Sequence, residues 1–397
     1  MSRRPVVTYG LMTAVLASGY GVMFTVLDDF RDEYGIQEYW LGAVVGVGFL
    51  ASFVSQIALA PIADRGHARQ LVLWGLALNV VGLLGMAFGE VVSVLIAARF
   101  VMGIGVGMAT PAVRRIVINL EPHNLGNNLG LLLACDVAGF AAGPAVSALL
   151  VPSFGIPAPF LVIAGATLAS LPIVLRTHVA ESRGVAMQNR FAFDLLRSRS
   201  LVAGLMLGGA LFMMIGTFDA LWAIVLDDLG SADWIANLGI TFFALPLIFL
   251  GSYGGRLAQR VGPFRLGPLG LIAGAGFVLS YGFLPTGGAM LAVGIVHALC
   301  DGCTVSSAAV GVGMVAPAKR QASAQGMLGA AETLVGGITA VLAGVLYSWG
   351  GRELAFTTAA VVMVSLSVGA WFLAGPDVRA RRGQAGMAAE QPAAAAA

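Results

Sequence analysis

The chain has 397 residues, of which 58% are hydrophobic and 11% are charged. That composition excludes an ordinary soluble globular domain, in which about a quarter of the residues are charged. The net charge is only +2, and the positions of the arginines give no reason to predict a nucleic-acid partner. Cys135, Cys300 and Cys303 lie in apolar stretches without a ligand pattern, so we predict no disulfide, no metal site and no cofactor.

Apolar stretches long enough to cross a bilayer, about 20 residues each, recur along the whole chain. The first follows two arginines as a signal peptide would, but eleven more come after it, so we take it as a retained helix. The sequence therefore predicts an all-α membrane protein with 12 transmembrane helices. They are centred near residues 17, 50, 82, 102, 139, 168, 213, 244, 275, 301, 336 and 364.

The basic residues lie almost entirely on one side of this topology. Nineteen of the 22 Lys and Arg residues fall on the cytoplasmic side if the N-terminus is cytoplasmic. Arg31 and Arg352 fall on the far side, and Arg99 falls within a helix. By the positive-inside rule, we expect a multi-pass protein of the cytoplasmic membrane with both termini in the cytoplasm.

The second half of the chain repeats features of the first half. Leu27-Asp28-Asp29 returns as Leu226-Asp227-Asp228 after 199 residues. Gly130 returns as Gly326 after 196 residues, and an acidic residue stands six positions beyond each glycine. Internal repeats of this kind are common in membrane transporters.

These repeats divide the chain into two predicted six-helix bundles, with a substrate path between them. The N-terminal bundle spans 1–175 and the C-terminal bundle spans 200–375. An arginine-rich cytoplasmic linker is predicted at 176–199. The stretch at 376–397 ends in alanines and is predicted to be a disordered cytoplasmic tail.

Several ionisable residues lie within the predicted membrane helices. A charge at the centre of a bilayer costs at least about 2.5–3.5 kcal/mol, so these residues are candidates for function. Asp28 and its neighbours lie at outer helix ends, where solvation is cheap, and are taken as surface charges, with a position of Asp28 in the cavity as the alternative. The candidates for proton coupling or the substrate cavity are Arg99, Asp136, Asp219, His297, Asp301 and Glu332.

Two of these candidates lie one helical turn apart, and histidine titrates near neutrality. The pair His297 and Asp301 is predicted to carry a proton or contact substrate, or else to hold a water between helices. Asp219 is predicted either to face the cavity or to support packing. Arg99 lies too deep to reach the interface and needs an acid, a carbonyl or water as its partner.

Three motifs resemble those of the major facilitator superfamily, and the resemblance covers nearly the whole chain. The loop at 60–69 reads APIADRGHAR, similar to the family's G-x-L-A-D-R-x-G-R-[RK]. Ala60 and His67 replace its two glycines, and Ala68 replaces a basic residue. The copy in the second half, at 255–262, keeps both glycines and has Gln259 in place of the acid.

The other two motifs lie in predicted helices 4 and 5. Residues 99–107 read RFVMGIGVG, similar to the family's R-x-x-x-G-x-G. Residues 139–147 read GFAAGPAVS, similar to the G-x-x-x-G-P-x-x-G of exporters that exchange solute for protons. Ser147 replaces the last glycine of that motif.

The resemblance implies roles for these segments. Asp64, with Arg65 and Arg69, is implied to form a cytoplasmic latch that holds the outward-open state. An acid there can meet a helix N-terminus or the loop's own arginines, although the arginines alone would also serve as topology anchors.

For helices 4 and 5, the resemblance implies proton coupling at Arg99. It also implies that Gly139, Gly143 and Pro144 prevent a proton leak. Small residues four apart would equally serve ordinary close helix packing.

Together these features predict a proton-coupled antiporter that exports a small hydrophobic or amphipathic compound such as a drug. Its partners would be that small molecule, protons and the lipid bilayer. A proton-coupled uptake symporter for a metabolite uses the same fold and acids and stays open. A non-transporting sensor or scaffold would gain nothing from the buried charges. An enzyme is disfavoured, since no nucleophile–base or metal constellation and no GK[ST] phosphate loop is present.

Overall fold

The computed structural model describes residues 4–176 and 191–380 of the chain. Within those ranges the regular secondary structure is helical, and no strand is found. The main helices are α1 (Arg4–Thr25), α2 (Leu27–Tyr34), α3 (Glu38–Ile62), α4 (Ala68–Phe88), α5 (Val92–Leu120), α6 (Leu125–Phe154), α7 (Pro157–Arg176), α8 (Arg199–Asp228), α9 (Asp233–Val261), α10 (Pro263–Tyr281), α11 (Gly287–Thr304), α12 (Ser307–Val315) and α13 (Gln321–Ala380).

The apolar stretches of the sequence form the long helices of the structure. In the described ranges, 10 helical segments are long and apolar enough to cross a membrane. Two of them, Trp40–Phe88 and Ala318–Ala380, have 49 and 63 residues, far more than the roughly 20 that one crossing needs. The first is interrupted at Gly66 and the second at Gly350 and Gly351, so each is long enough for two crossings. The predicted all-helical class is confirmed, and two crossings in each interrupted segment would give the predicted count of twelve.

Three details of the helices differ from the prediction. The acidic stretch predicted at the outer end of the first helix forms a separate short helix, α2. The predicted tenth crossing is divided into α11 and α12, with Val305 and Ser306 between them. Helix α13 extends to Ala380, five residues into the predicted tail, and is interrupted at the non-helical Gly375, next to the predicted boundary at residue 376. Residues 177–190 of the predicted linker and 381–397 of the tail lie outside the described residues.

Contacts divide the chain into two compact units. Unit 1 comprises Met1–Leu120, Cys135–Ala192 and Lys319–Gly326. Its core includes Leu83 and Met102, both fully buried, and the stacked rings of Phe30 and Phe160, whose centroids are 6.2 Å apart.

Unit 2 comprises Glu121–Ala134, Phe193–Ala318 and Met327–Ala397. Each unit therefore contains a short piece from the other half of the sequence, which the predicted boundaries at 175 and 200 did not include. The pieces are the N-terminal ends of α6 and α13. Both helices carry residues that the sequence marked as candidates.

Candidate functional site

The loop between α3 and α4 forms a wide helical turn at Ala63–His67. Gly66 in this turn has φ of 90°, a left-handed conformation that favours glycine. The turn therefore uses Gly66, one residue before the position where His67 replaces the glycine of the family motif. This turn places Asp64 at the end of α3.

Asp64 is 2% exposed and caps the N-terminal end of α13. Its Oδ1 accepts a hydrogen bond from the Ala322 N–H at 3.0 Å. Its Oδ2 accepts from the Ser323 N–H at 2.8 Å and from the Ser323 hydroxyl at 2.7 Å. The first N–H groups of a helix have no partner within the helix, and the helix dipole favours negative charge there. We call this arrangement the Asp64 cap.

A second charge completes the Asp64 cap. The Arg115 Nε of α5 lies 3.1 Å from the Asp64 Oδ1, and its side chain is 2% exposed. In the sequence, Arg115 is one of the nineteen basic residues on the predicted cytoplasmic side, and no pattern marks it as a partner of Asp64. Arg69, a predicted latch residue, donates to the Leu175 carbonyl at the end of α7. Arg65, in the same turn, is half-buried.

The second-half copy of the loop motif forms an equivalent cap in unit 2. The Gln259 Oε1 accepts from the Gly126 N–H, near the start of α6, at 2.7 Å. The Gln259 Nε2 donates to the His123 carbonyl at 2.8 Å. Gly255, one turn before Gln259, packs so closely on Gly126 that a side chain at either position would collide with backbone. We call this arrangement the Gln259 cap.

The two caps follow the internal repeat of the sequence. Asp64 and Gln259 are 195 residues apart, and the residues that they cap, Gly126 and Ala322, are 196 apart. At the same spacing of 195, the counterpart of Arg115 is Val310. The Gln259 cap thus uses a neutral amide, and the residue at the repeat position of the arginine is apolar.

Arg99 of α5 is fully buried, as its predicted depth requires. Its guanidinium carbon lies 3.9 Å above the centre of the Tyr20 ring of α1. Among the described residues, its Nε and both terminal nitrogens have no hydrogen-bond acceptor. Gly48 of α3 leaves the space for this side chain, because a Cβ there would lie 2.5 Å from the Arg99 Nε. Of the three predicted partners, neither an acid nor a carbonyl of the described residues accepts from these nitrogens, and water stays a prediction.

His297 and Asp301 of α11 form the predicted pair. Both are at most 1% exposed, and the His297 Nε2 lies 3.4 Å from the Asp301 Oδ2. A third residue, which the sequence did not predict, contacts this pair. The Tyr281 hydroxyl of α10 lies 3.1 Å from the His297 Nδ1. No sequence signal marks Tyr281, since a lone tyrosine at a helix end is commonly a membrane-interface residue.

Aromatic rings enclose the imidazole of His297. Phe277 stacks on it with centroids 5.0 Å apart, and Phe243 meets it edge-on at 5.5 Å. Gly274 leaves room beside the pair, since a Cβ there would lie 3.3 Å from the His297 Nε2. Tyr281, His297 and Asp301 thus form a polar network in an apolar shell, and we call it the α10–α11 network.

The other candidate acids have different surroundings. Glu332 of α13 is 6% exposed. It lies against α8, where a Cβ on Gly208 would be 3.2 Å from its Oε1. Asp136 of α6 and Asp219 of α8 are exposed.

The glycine motif of α6 packs against α1. Side chains at Gly139 and Gly143 would collide with the backbone at Ala14 and Gly21, respectively. Pro144 is exposed, and α6 continues through it without a break. The motif therefore brings two helix backbones into direct contact. Among the described residues, no group of three or more His, Cys, Asp or Glu side chains is placed to hold a metal ion.

Comparison with known proteins identifies the family to which the motifs and the fold correspond. The model of the Major Facilitator Superfamily matches residues 9–287 and 205–396. The 4-hydroxybenzoate transporter PcaK of Pseudomonas aeruginosa is 32% identical over 162 residues, which are 40% of this chain and 36% of PcaK. The quinolone resistance protein NorA of Staphylococcus aureus is 27% identical over 129 residues, 32% of this chain and 33% of NorA. These matches thus span about a third of each curated relative.

The same architecture occurs in solved structures. The proton:xylose symporter XylE has a TM-score of 0.78 to this chain at 13% sequence identity, with 96% of each chain covered. At that identity the likeness concerns the fold alone.

Proposed function

Because this chain belongs to the Major Facilitator Superfamily, we propose that it is a proton-coupled transporter that exports small hydrophobic or amphipathic compounds by alternating access. It would work in the cytoplasmic membrane, with both termini in the cytoplasm. The family makes it a transporter and not an enzyme. The α10–α11 network is the observation that carries the proton-coupled part of the proposal.

The α10–α11 network has the chemistry that proton coupling needs. A carboxyl group and an imidazole 3.4 Å apart can share one proton, which is then taken up and released by the pair as a unit. The Tyr281 hydroxyl fixes the other ring nitrogen at 3.1 Å, and this fixes the orientation of the imidazole. An ionisable pair buried in a membrane-length helix is costly to keep, which supports a role in function.

The Asp64 cap supports the alternating-access part. A contact made in one conformation and broken in another biases the equilibrium between them. Asp64 accepts several hydrogen bonds from the start of α13 and makes one ion pair with Arg115 of α5. In the proposed cycle these contacts form in the outward-open state and break as the cytoplasmic side opens.

The relatives support the kind of substrate. NorA is named for quinolone resistance and PcaK for transport of 4-hydroxybenzoate, and both names denote compact aromatic compounds. Ser147, which replaces a glycine in the exchanger-type motif, favours a second candidate, a proton-coupled uptake symporter. Both candidates would use the α10–α11 network as the proton-binding site.

Vesicles test the proposal directly. Inverted and right-side-out vesicles would be loaded with a pH-sensitive dye and challenged with compounds against which the overexpressed protein protects growing cells. We expect a protective compound to dissipate the pH gradient of inverted vesicles, and Asp301→Asn to abolish this. Glu353→Gln, at an exposed position, is the matched control. Proton movement in Asp301→Asn vesicles equal to wild type would refute the coupling role, while substrate and proton entering together would establish symport.

A further inference from the structure

Arg99 has a buried charge that the described structure leaves without a hydrogen-bonded counter-ion. Its side chain is fully buried, and three of its nitrogens lack an acceptor among the described residues. Arginine keeps its proton in proteins, so the site cannot become neutral by losing one. The Tyr20 ring 3.9 Å away compensates part of the charge, since a cation over an aromatic face is stabilised, but it accepts none of the N–H groups in the guanidinium plane.

The surroundings of this charge are aromatic. The Tyr20 ring also contacts Phe49 of α3, with centroids 6.3 Å apart. One turn further along α1, Phe24 meets Phe140 of α6 edge-on at 6.1 Å. These four rings are half-buried or exposed, in contrast to the buried guanidinium. They line one aromatic strip of unit 1 that leads along α1 from Arg99.

We propose that Arg99 is the anchor for the carboxylate of an aromatic acid, which is the class of substrate that this transporter carries. The inference rests on the proposed transport function and specifies its substrate. The guanidinium offers parallel N–H donors that match the two oxygens of a carboxylate. Tyr20, Phe49, Phe24 and Phe140 supply flat apolar surface for the ring of the same molecule.

The charge of the site selects among ligand classes. An aromatic cation would be repelled by a guanidinium that already lacks a counter-ion. A neutral aromatic would fill the strip but leave the N–H groups unpaired, and leaving a buried charged donor unpaired is costly. An aromatic carboxylate pairs with the N–H groups of Arg99 through its oxygens and covers the aromatic strip with its ring. Because Arg99 is fully buried in this conformation, the ligand binds in another state of the alternating-access cycle, in which the guanidinium is exposed.

Binding to the purified full-length protein tests the inference. Thermal unfolding in detergent would be followed with benzoate, its neutral isostere benzamide and the cation benzylammonium. We expect benzoate to raise the unfolding temperature of the wild type and the other two compounds to have little effect. Arg99→Gln should raise the Kd of benzoate about 10- to 100-fold. Arg99→Lys, which keeps the charge but loses the planar pair of donors, should give an intermediate loss.

Two controls separate this inference from the proposed function. Arg31→Gln, at an exposed arginine, should bind benzoate as the wild type does. If Arg99→Gln fails to fold, the comparison of benzoate with benzamide on the wild type still decides the question. The inference would be overturned if benzoate and benzamide stabilised the wild type equally, if only benzylammonium stabilised it, or if none of the three compounds did. An unchanged affinity of folded Arg99→Gln for benzoate would also overturn it. Proton movement driven by another compound in the vesicle assay would in each case leave the transport proposal standing.

Discussion

Asp64 and Gln259 satisfy the same requirement with different chemistry. Each accepts the N–H groups at the start of a helix, which have no partner within that helix. Asp64 does so as a carboxylate beside Arg115, whereas Gln259 does so as a neutral amide that also donates to the His123 carbonyl. The two positions should therefore respond differently to the same exchange of acid for amide.

At Asp64 we expect loss of the charge to be severe. Asp64→Asn would leave Arg115 buried beside a neutral group, and breaking a buried ion pair costs about 3–5 kcal/mol. The double variant Asp64→Asn with Arg115→Met should lose less stability than the two single changes added together, because no unpaired charge remains. Chemical unfolding in detergent measures this cycle. Asp32→Asn, at an exposed carboxylate, is the control. Strict additivity would show that the pair contributes nothing.

At Gln259 we expect the gain of a charge to be harmful. Gln259→Glu keeps an acceptor for the Gly126 N–H and gains from the helix dipole, worth about 0.3–1 kcal/mol. It loses the donor to the His123 carbonyl and buries a carboxylate at a position that is 8% exposed. The unpaired carbonyl and buried charge outweigh the dipole, so we expect a net loss of about 1–3 kcal/mol. The same unfolding assay checks the sign, and a more stable Glu variant would contradict this account.

Residue-level prediction from the sequence succeeded where one helix holds both partners. His297 and Asp301 are four residues apart on α11, and helix geometry alone places them together. The Tyr20 ring under Arg99, Arg115 beside Asp64 and Tyr281 beside His297 come from other helices. One sequence carries no information on how its helices are rotated against one another, so these partners were missed.

At the scale of elements, close contacts between helices depend on glycine. Gly139 and Gly143 of α6 meet the backbone of α1 directly, and no flexible side chain is present there to give way. The sequence pattern predicted close packing at these glycines but not α1 as the partner. Which helix packs against the motif depends on the whole fold, and the local sequence of the motif carries no information about that.

We expect Gly143→Ala to disrupt the contact of α6 with α1. The new methyl group would overlap the Gly21 backbone, so the helices must move apart, and such overpacking typically costs about 1–3 kcal/mol. Gly165→Ala in α7 is the matched control, since a Cβ there meets nothing within 4 Å. Folded yield and unfolding temperature in detergent measure the difference. Equal behaviour of the two variants would show that α6 does not need this glycine.

At the scale of the whole molecule, hydropathy was enough to predict the helices. Each predicted span centre lies within a helix of the structure, because a chain in lipid must satisfy its backbone hydrogen bonds within each crossing. The breaks within long helices were harder to foresee. Gly66 and Gly351 take positive φ, whereas Gly46 and Gly165 lie inside regular helices, so a glycine alone does not mark a helix end.

The topology itself gives the last prediction. An even number of crossings together with nineteen basic residues on one side of the predicted topology predicts, by the positive-inside rule, that both termini lie in the cytoplasm. A green fluorescent protein fused after residue 380 should therefore fluoresce in a bacterial host, and alkaline phosphatase fused there should be inactive. Alkaline phosphatase inserted at Gly35, between α2 and α3, should be active, because that loop would face the periplasm. If phosphatase were active both at Gly35 and after residue 380, the number of crossings would be odd, and one of the two interrupted segments, Trp40–Phe88 or Ala318–Ala380, would cross only once. Phosphatase that is active after residue 380 but inactive at Gly35 would mean that the orientation is inverted.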